Sequence, residues 1–275
     1  MQRYKLSGNK QWDEANFLQN YWQCRKFDVI LQSNCKRETK MNIGRWRCVS
    51  GSWLKIIALI SMLVDHWALV MLSDCKEAFV PLFTVGNTDV SWYFIMRGMV
   101  GRLAFPLFAF LVVEGYVHTR DVRKYVLSLL AFAVISIVPW NLMHHRSLLW
   151  LGNQNVLFTL CLGVICMYAI EHLRYEKAAL VITTILVAEF FLRTDYGMVG
   201  VATIVLMHLL RANRLHQCLV LFCSFATRKF SFCAVFASIP IMLYNGKRGF
   251  IHGNIAKYLI YIFYPLHLLV LWLIA

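Results

Sequence analysis

An apolar stretch, Leu54 to Met71, carries three side chains that are able to do acid–base chemistry. Lys55 stands near its start, and the adjacent pair Asp65 and His66 lies deep inside it. On a helix, Lys55 and His66 share one face and are separated by about 16 Å along the axis. An ionisable group near mid-membrane is costly unless it faces protein or water. We therefore expect His66 to be functional; the alternative is a histidine that only hydrogen-bonds a neighbouring span.

The composition indicates a membrane protein with several spans. Hydrophobic residues make up 59% of the chain and charged residues 15%. The formal net charge of +14 would indicate nucleic acid in a soluble protein. Here the cations fall between apolar runs, where they set topology, so we expect no nucleic-acid partner. The nine cysteines form no Cys-x-x-Cys motif and no Cys/His ligand spacing, so no metal site and no disulfide framework is predicted.

The chain divides into a polar extension and an apolar domain. Residues 1–50 are basic and lack a long apolar run, which predicts a poorly ordered cytoplasmic extension that a start at Met41 would omit. Residues 51–275 form the transmembrane domain, an all-α polytopic bundle of about nine membrane helices, with eight to ten possible because some segments are short. The predicted segments are 54–72, 91–117, 125–143, 156–173, 178–192, 196–210, 215–227, 230–244 and 257–275.

The loop charges orient this bundle in the lipid bilayer. If the N-terminus is cytoplasmic, the cytoplasmic loops carry ten Lys and Arg residues and the opposite loops carry five. Positive charge is enriched on the cytoplasmic side of membrane proteins. The bias therefore predicts a cytoplasmic N-terminus and, with an odd number of spans, an external C-terminus.

Helix geometry then predicts the depth of each buried polar residue. With a rise of 1.5 Å per residue, Arg102, Glu189 and His267 each lie close to the level of His66, about 16 Å into their spans. Asp65 lies beside them. Because isolated charges are avoided in bilayers, we expect these side chains to converge on one polar cavity.

The second span has the features of a kinked helix next to a site. Gly98 and Gly101 allow another backbone to come close. Pro106 removes the hydrogen bond to the carbonyl of Arg102, which predicts a bend beside the buried guanidinium. Plain helix packing is the alternative explanation.

A second polar layer is predicted nearer the cytoplasm. Glu114 either neutralises Lys55 or helps to bind a cytoplasmic ligand. On the outside, the stretches NQN with Asn155 and RTDYG with Asp195 either line an outer mouth or form ordinary turns. On the inside, LYNGKRG combines a turn signal with Lys247 and Arg248, which suits a phosphate-bearing ligand but also fits membrane anchoring.

These residues resemble those of a known family. The stretches that carry the resemblance, in order, are LKIIALISMLVDH, GRLAFPLFAFLVVEGYVHTR, NVLFTL, DYG, IPIMLYNGKRG and KYLIYIFYPLH. They are similar to the TraX proteins, named for an enzyme that acetylates the N-terminus of conjugative pilin, and through them to the multi-span membrane acyltransferases. In that larger group a cation precedes a functional histidine by ten intervening residues, as Lys55 precedes His66.

The resemblance, which covers residues 54–275, implies a bacterial inner-membrane enzyme. It implies transfer of acetyl from acetyl-CoA, without a metal, to an amine or hydroxyl acceptor such as a pilin or an envelope glycan.

The same residues can be given roles in such a reaction. His66 suits the general base that takes the acceptor's proton. Asp65 is about 100° around the helix from His66, so Glu189 on another span is the better orienting partner. Arg102 would donate to the oxyanion, and His267 is the next histidine to consider.

Four cations are expected to meet the phosphates of CoA. They are Lys247, Arg248, Arg123 and Lys124, and Lys55 and Glu114 are expected to belong to the same cofactor site. Two other functional classes compete with an acyltransferase. A proton-coupled transporter would also use mid-membrane His, Glu and Arg, and a non-catalytic assembly subunit would use them as structural pairs.

Overall fold

The computed structural model describes residues 47–275 except residues 87, 151, 227–230 and 252. The predicted extension 1–50 therefore lies almost entirely outside the described residues. The α-helices in chain order are α1 Gly51–Met71, α2 Ala104–His118, α3 Val122–Ile135, α4 Ile137–His145, α5 Val156–His172, α6 Tyr175–Leu192, α7 Gly197–Leu209, α8 Arg214–Phe225, α9 Ser238–Met242 and α10 Asn254–Ile274. Short 3-10 helices cover Lys76–Phe79, Gly101–Leu103 and Phe232–Ala237, and a π-helix covers Phe94–Val100.

Every predicted apolar segment falls on a helical segment of the structure. Within the described residues, four of these are long and apolar enough to cross a membrane: Gly51–Met71, Phe94–His118, Val122–His145 and Ile255–Ile274. The other apolar helices are shorter or more polar than a standard span. The helical fold is therefore confirmed, four candidate spans are established, and a total of about nine stays a prediction.

Helix α1 has the inverted polarity of a membrane helix. Its exposed stripe carries Trp53, Ile60 and Trp67, seven residues apart, while His66 and Ser61 are buried. A water-exposed helix would show the opposite pattern, with its apolar side chains inside. The exposed stripe suits contact with lipid tails, and the buried stripe keeps polar groups inside the bundle.

The all-α prediction misses one β-hairpin after α1. Strands β1 Phe83–Val85 and β2 Thr88–Val90 pair antiparallel, with Phe83 opposite Val90. Aromatic and β-branched residues favour the strands, and Gly86, with φ of 60°, supplies a left-handed conformation between them. The fold prediction rests on long apolar runs. Strands of three residues are too short to form such a run, and this hairpin lies between two of them.

The second span changes helix type shortly before Pro106, where a bend was predicted. The π-helix and the 3-10 turn directly precede Pro106 in the chain, so the α-helical hydrogen-bond ladder begins only at Ala104. Ser61 on α1 uses the carbonyls in this irregular region, since its Oγ donates to Val100 O at 2.6 Å and to Gly101 O at 3.1 Å. The irregular turn is thus fastened to α1.

The predicted close approach occurs at Gly101. A Cβ atom on Gly101 would lie 2.5 Å from Oδ1 of Asp65 and 2.9 Å from its Cα. No side chain fits in that space, so α1 and the irregular turn touch at the level of Asp65.

The helix ends gather at two ends of the bundle. At one end, Gly51 N donates to Lys247 O at 2.8 Å, and Arg211 pairs with Glu171 at 3.2 Å. This end, which we call the basic end, holds the chain before α1 and the loops after α2, α5, α7 and α9. The loops after α4 and α6 pair with each other at the opposite end. Consecutive helical segments therefore alternate in direction.

Candidate functional site

Two histidines from different helices meet in the interior. Nδ1 of His66 on α1 lies 2.8 Å from Nε2 of His267 on α10, and both residues are buried. Nδ1 of His267 lies 2.8 Å from the carbonyl oxygen of Phe263. A carbonyl only accepts, so His267 Nδ1 carries a proton and its Nε2, when the ring is neutral, has a lone pair. His66 Nδ1–H therefore donates to His267, which leaves Nε2 of His66 unprotonated.

Aromatic rings surround this histidine pair. The rings of His66 and His267 stack with centroids 5.0 Å apart. Trp140 and His144 on α4 and Tyr264 on α10 place their ring centroids 6.1, 6.0 and 6.4 Å from that of His66. Packed rings restrict rotation of the imidazole, so its unprotonated nitrogen has a fixed direction. The expected convergence of His66 and His267 at one level is present.

The neighbour of His66 in sequence faces a different set of groups. Asp65 Oδ1 lies 3.7 Å from Nη2 of Arg102 and 3.9 Å from Nε of Arg97. Arg102 also makes a side-chain hydrogen bond to Tyr196. The predicted separation of Asp65 and His66 around the helix is therefore present, and Asp65 pairs with arginine rather than orienting His66.

The loop after α6 completes this ionic cluster. Asp195 lies within electrostatic range of Arg102 and Asp65, and Tyr196 follows it. Burial raises the pKa of Asp195, a loop residue outside the helices, to about 6, and the charge of Arg102 opposes the rise. We call Asp65, Arg97, Arg102, Asp195 and Tyr196 the arginine cluster.

The two polar loops at the end opposite the basic end hold each other in place. Gln154 N donates to Arg193 O at 3.3 Å, and Asp195 N donates to Gln154 O at 3.0 Å. Asn155 accepts from Leu157 N at 3.1 Å as the N-cap of α5 and donates to the carbonyl of Ala133. The NQN and RTDYG stretches thus act together: Asn155 fixes the start of a helix, and the paired backbone delivers Asp195 to the arginine cluster.

The structure does not bring Glu189 to His66. Glu189 is buried, and its Oε1 accepts a hydrogen bond from Thr194, whose hydroxyl also meets that of Thr159 at 2.6 Å. Glu189 was expected to orient His66. Instead, Nδ1 of His66 is hydrogen-bonded to His267. The direction of Glu189 around α6 was not available from sequence.

A cavity of about 670 Å³ opens at the basic end. We call it the basic cavity. Its mouth has five cationic or titratable side chains: Lys55, His118, Arg120, Arg248 and Lys257. Its inner wall is mainly apolar and reaches Met62 and Tyr264. Met62 lies one turn before His66 on α1, and Tyr264 one turn before His267 on α10, so the cavity ends next to the histidine pair.

Of the cations predicted to bind a cofactor, the cavity includes only some. Lys55 and Arg248 line it, as does the unpredicted Lys257. Among the described residues, Lys247, Arg123 and Lys124 do not contribute to the lining. Lys247 stands next to Arg248 in the loop after α9, whereas Arg123 and Lys124 lie in the first turn of α3.

The predicted pairing of Glu114 with Lys55 is wrong. Glu114 Oε1 accepts from both terminal nitrogens of Arg214, each at 3.1 Å. Lys55 Nζ instead donates to the carbonyl of Ile251 at 3.3 Å. Arg214 begins α8, one hundred residues beyond Glu114, which is why a comparison of neighbouring spans overlooked it.

The loop after α9 is fastened to the start of α1. Ser52 Oγ donates to Arg248 O at 2.9 Å and accepts from Ile251 N at 2.6 Å. Gly249 has φ of 81°, and a Cβ there would lie 2.5 Å from Oγ of Ser50. This contact holds the backbone of Arg248 beside Lys55 at the mouth of the basic cavity, which explains why a Gly-rich turn was found in the predicted ligand-binding stretch.

Several residues of the site carried no signal in the sequence. Arg97, Trp140, His144, Tyr196 and Tyr264 were not singled out, because arginines at span ends and aromatic rings within spans are common in membrane proteins. His267 was selected because counting residues from the end of its span places it at mid-depth. The same count places His144 near the end of its own helix.

Comparison with known proteins gives one matching family model and one similar relative. The family model described as "TraX protein" matches residues 50–275. A relative named "Probable fimbrial assembly protein FimC, serogroup H1" from Dichelobacter nodosus is 30% identical over 246 residues, which cover 79% of this chain and 92% of the relative. No solved structure gives a match. The chain belongs to the TraX family.

Proposed function

We propose that this protein is an integral membrane acetyltransferase that moves an acetyl group from acetyl-CoA to an acceptor amine or hydroxyl. The observation that carries the proposal is the basic cavity, whose cationic mouth leads to an apolar inner wall that reaches Met62 and Tyr264, each one helical turn before a histidine of the buried pair. A pilin or another surface polymer is the acceptor class that the family and the FimC-like relative suggest.

The basic cavity suits the two ends of acetyl-CoA. The nucleotide end carries several phosphate charges, and Lys55, Arg120, Arg248 and Lys257 would meet them at the mouth. The pantetheine arm is long and thin, and its thioester would reach inward past Met62 towards the histidine pair. The donor would therefore enter from the basic end.

The histidine pair suits a general base. Nε2 of His66 would take a proton from the acceptor as its nitrogen or oxygen attacks the thioester carbon. The C–N or C–O bond forms, the C–S bond breaks, and the imidazolium returns the proton to the CoA thiolate. His267 would hold the tautomer and stabilise the positive charge through the bond at Nδ1.

The arginine cluster suits stabilisation of the tetrahedral oxyanion. Arg102 and Arg97 flank Asp65, which sits next to His66 on α1. A guanidinium held by a buried carboxylate is already oriented before reaction, which is the requirement for electrostatic stabilisation of a transition state. In this role Asp65 is a positioning residue.

The proposed topology has nine membrane crossings with the basic end in the cytoplasm. Four helices have the length of a span, and the alternating direction of consecutive segments supports crossings by the shorter ones as well. The excess of cations in the loops of the basic end supports its cytoplasmic side. Cytoplasmic acetyl-CoA would then have direct access to the basic cavity.

The direct test uses purified protein in proteoliposomes with acetyl-CoA labelled in the acetyl group. We expect saturable binding of acetyl-CoA, competed by CoA and weakened by salt. We also expect label to pass to an acceptor when membranes containing pilin or surface polymer are added. A protein that binds no acetyl-CoA at millimolar concentration would refute the proposal.

A further inference from the structure

Tyr264 on α10 connects the basic cavity to the histidine pair. Its ring centroid lies 6.4 Å from that of His66 and 5.6 Å from that of His267, and in both contacts the rings meet edge to face. Tyr264 also lines the inner wall of the basic cavity. Among the described residues, no other ring in contact with either histidine lines that cavity. A group that approaches the histidines from the cavity would therefore lie next to Tyr264.

The hydroxyl group of Tyr264 is buried without an acceptor for its proton. The residue is only 3% exposed. Its oxygen lies beside the backbone amide of Val156, the first residue of α5, and an N–H can only donate. Within the part of the chain that the structure describes, nothing accepts the proton of this hydroxyl. Because buried polar groups are nearly always hydrogen-bonded, a free donor here points to a group that the protein binds.

The surroundings of this hydroxyl carry charges of both signs. Val156 begins α5 and lines the cavity, and the N-terminus of a helix stabilises a nearby negative charge. Asp65 and Asp195 of the arginine cluster lie within electrostatic range of Tyr264. Arg102 acts on both carboxylates and opposes their charge. Tyr264 therefore lies where the basic cavity, the histidine pair and the arginine cluster come together.

We propose that Tyr264 is a further catalytic residue, whose hydroxyl donates a hydrogen bond to the carbonyl oxygen of the donor thioester. This inference rests on the proposed function. It adds a second oxyanion donor to the arginine cluster, and unlike Arg97 and Arg102 this donor lines the cavity through which the thioester enters.

The hydrogen bond from Tyr264 changes strength during the reaction. When the acceptor attacks, the C=O double bond opens to C–O⁻, and the bond from the hydroxyl strengthens because the oxygen gains charge. When the C–S bond breaks, the carbonyl forms again and the hydrogen bond weakens. The proton stays on the tyrosine throughout, so His66 remains the base that moves the acceptor's proton to the CoA thiolate.

The experiment compares Tyr264→Phe with the wild-type protein in proteoliposomes. Phenylalanine keeps the ring against the histidines and removes only the hydroxyl. Tyr258→Phe is the matched control, because Tyr258 stands on the same helix, is 46% exposed and does not line the basic cavity.

Three quantities are measured for each protein. They are the affinity for acetyl-CoA, the rate of labelled acetyl transfer to acceptor-containing membranes at saturating acetyl-CoA, and the infrared stretching frequency of the bound thioester carbonyl, isotopically labelled at its carbon. The infrared measurement needs no acceptor. Thermal unfolding in detergent shows whether each variant is folded.

We expect Tyr264→Phe to lower the transfer rate by about a hundredfold, the usual loss when one oxyanion donor is removed. Its affinity for acetyl-CoA should stay within twofold of wild type. The carbonyl frequency should be lower in wild type and in Tyr258→Phe than in Tyr264→Phe, since a hydrogen bond to the oxygen weakens the C=O bond.

An unchanged transfer rate in Tyr264→Phe would overturn the role of Tyr264 and leave the acetyltransferase proposal standing. A lower rate with an unchanged carbonyl frequency would also overturn it, because the hydroxyl would then act on the protein and not on the thioester. A loss of folded protein that accounts for the lost transfer would show a structural hydroxyl. Absence of acetyl-CoA binding to the wild-type protein would instead remove the proposed function itself.

Discussion

Nδ1 of His66 donates a hydrogen bond to Nε2 of His267 across 2.8 Å, between the first and the last helix of the described chain. The carbonyl of Phe263, 2.8 Å from the other nitrogen of His267, fixes the direction of that bond. The result is a histidine whose free nitrogen is a lone-pair base, held by a neutral imidazole instead of the carboxylate that usually takes this place.

The first prediction concerns this bond. His267→Gln retains an oxygen that can accept from His66, whereas His267→Leu removes the acceptor. We expect transfer to fall modestly in the first and by about tenfold to a hundredfold in the second, as is typical when the group that orients a histidine is lost. The measurement is the rate of acetyl transfer over a range of pH at matched protein levels. Equal rates in the two variants would show that His267 does not position His66.

The second prediction concerns the contact at Gly101. A methyl group there would collide with the side chain and backbone of Asp65, so Gly101→Ala should lower stability by about 1–3 kcal/mol. Gly98→Ala is the control, because the nearest atoms to a Cβ at that position belong to the movable ring of Phe94 at 3.0 Å. Thermal unfolding in detergent gives the comparison. If Gly98→Ala is the more damaging change, the close packing of α1 on the irregular turn is not what limits stability.

The third prediction separates two adjacent cations. Arg248 lines the basic cavity and Lys247 does not, although both were predicted to meet the phosphates of CoA. Arg248→Ala should weaken CoA binding by about tenfold, since a charged hydrogen bond contributes roughly 1.5–3 kcal/mol before screening by solvent. Lys247→Ala should change the affinity by less than twofold. The measurement is equilibrium binding of CoA at two salt concentrations. A larger loss of CoA affinity with Lys247→Ala than with Arg248→Ala would move the phosphate site to the outer face of the loop.

The fourth prediction concerns topology. A reporter fused within residues 116–124, after α2, should be cytoplasmic, and one fused at Ala275 should be external. The charge of the loops at the basic end and the alternating helix directions both support this result. Reporters that locate to the same side would show an even number of crossings and would contradict the proposed topology.

Sequence reasoning recovered the parts of the site that depend on position along a helix. The shared level of His66 and His267 and the divergence of Asp65 from His66 both follow from a rise of 1.5 Å and a turn of 100° per residue. The structure agrees with both, since His66 contacts His267 and Asp65 pairs with Arg102.

The parts that failed depend on how helices are rotated against each other. Glu189 accepts a hydrogen bond from Thr194 rather than orienting His66, and Glu114 pairs with Arg214 on a helix far along the chain. Similarly, Lys257 reaches the basic cavity while Lys124 does not. Helix rotation is set by packing over the whole bundle, and no local pattern encodes it.

The central claim, that His66 is the base of an acetyl transfer, is tested most directly by His66→Gln. Glutamine keeps the polarity and approximate size of the side chain but has no basic nitrogen, so folding and acetyl-CoA binding should remain. Labelled acetyl incorporation into acceptor-containing membranes should fall by at least about a hundredfold, the usual contribution of general base catalysis. Incorporation near the wild-type rate at matched expression would contradict the account.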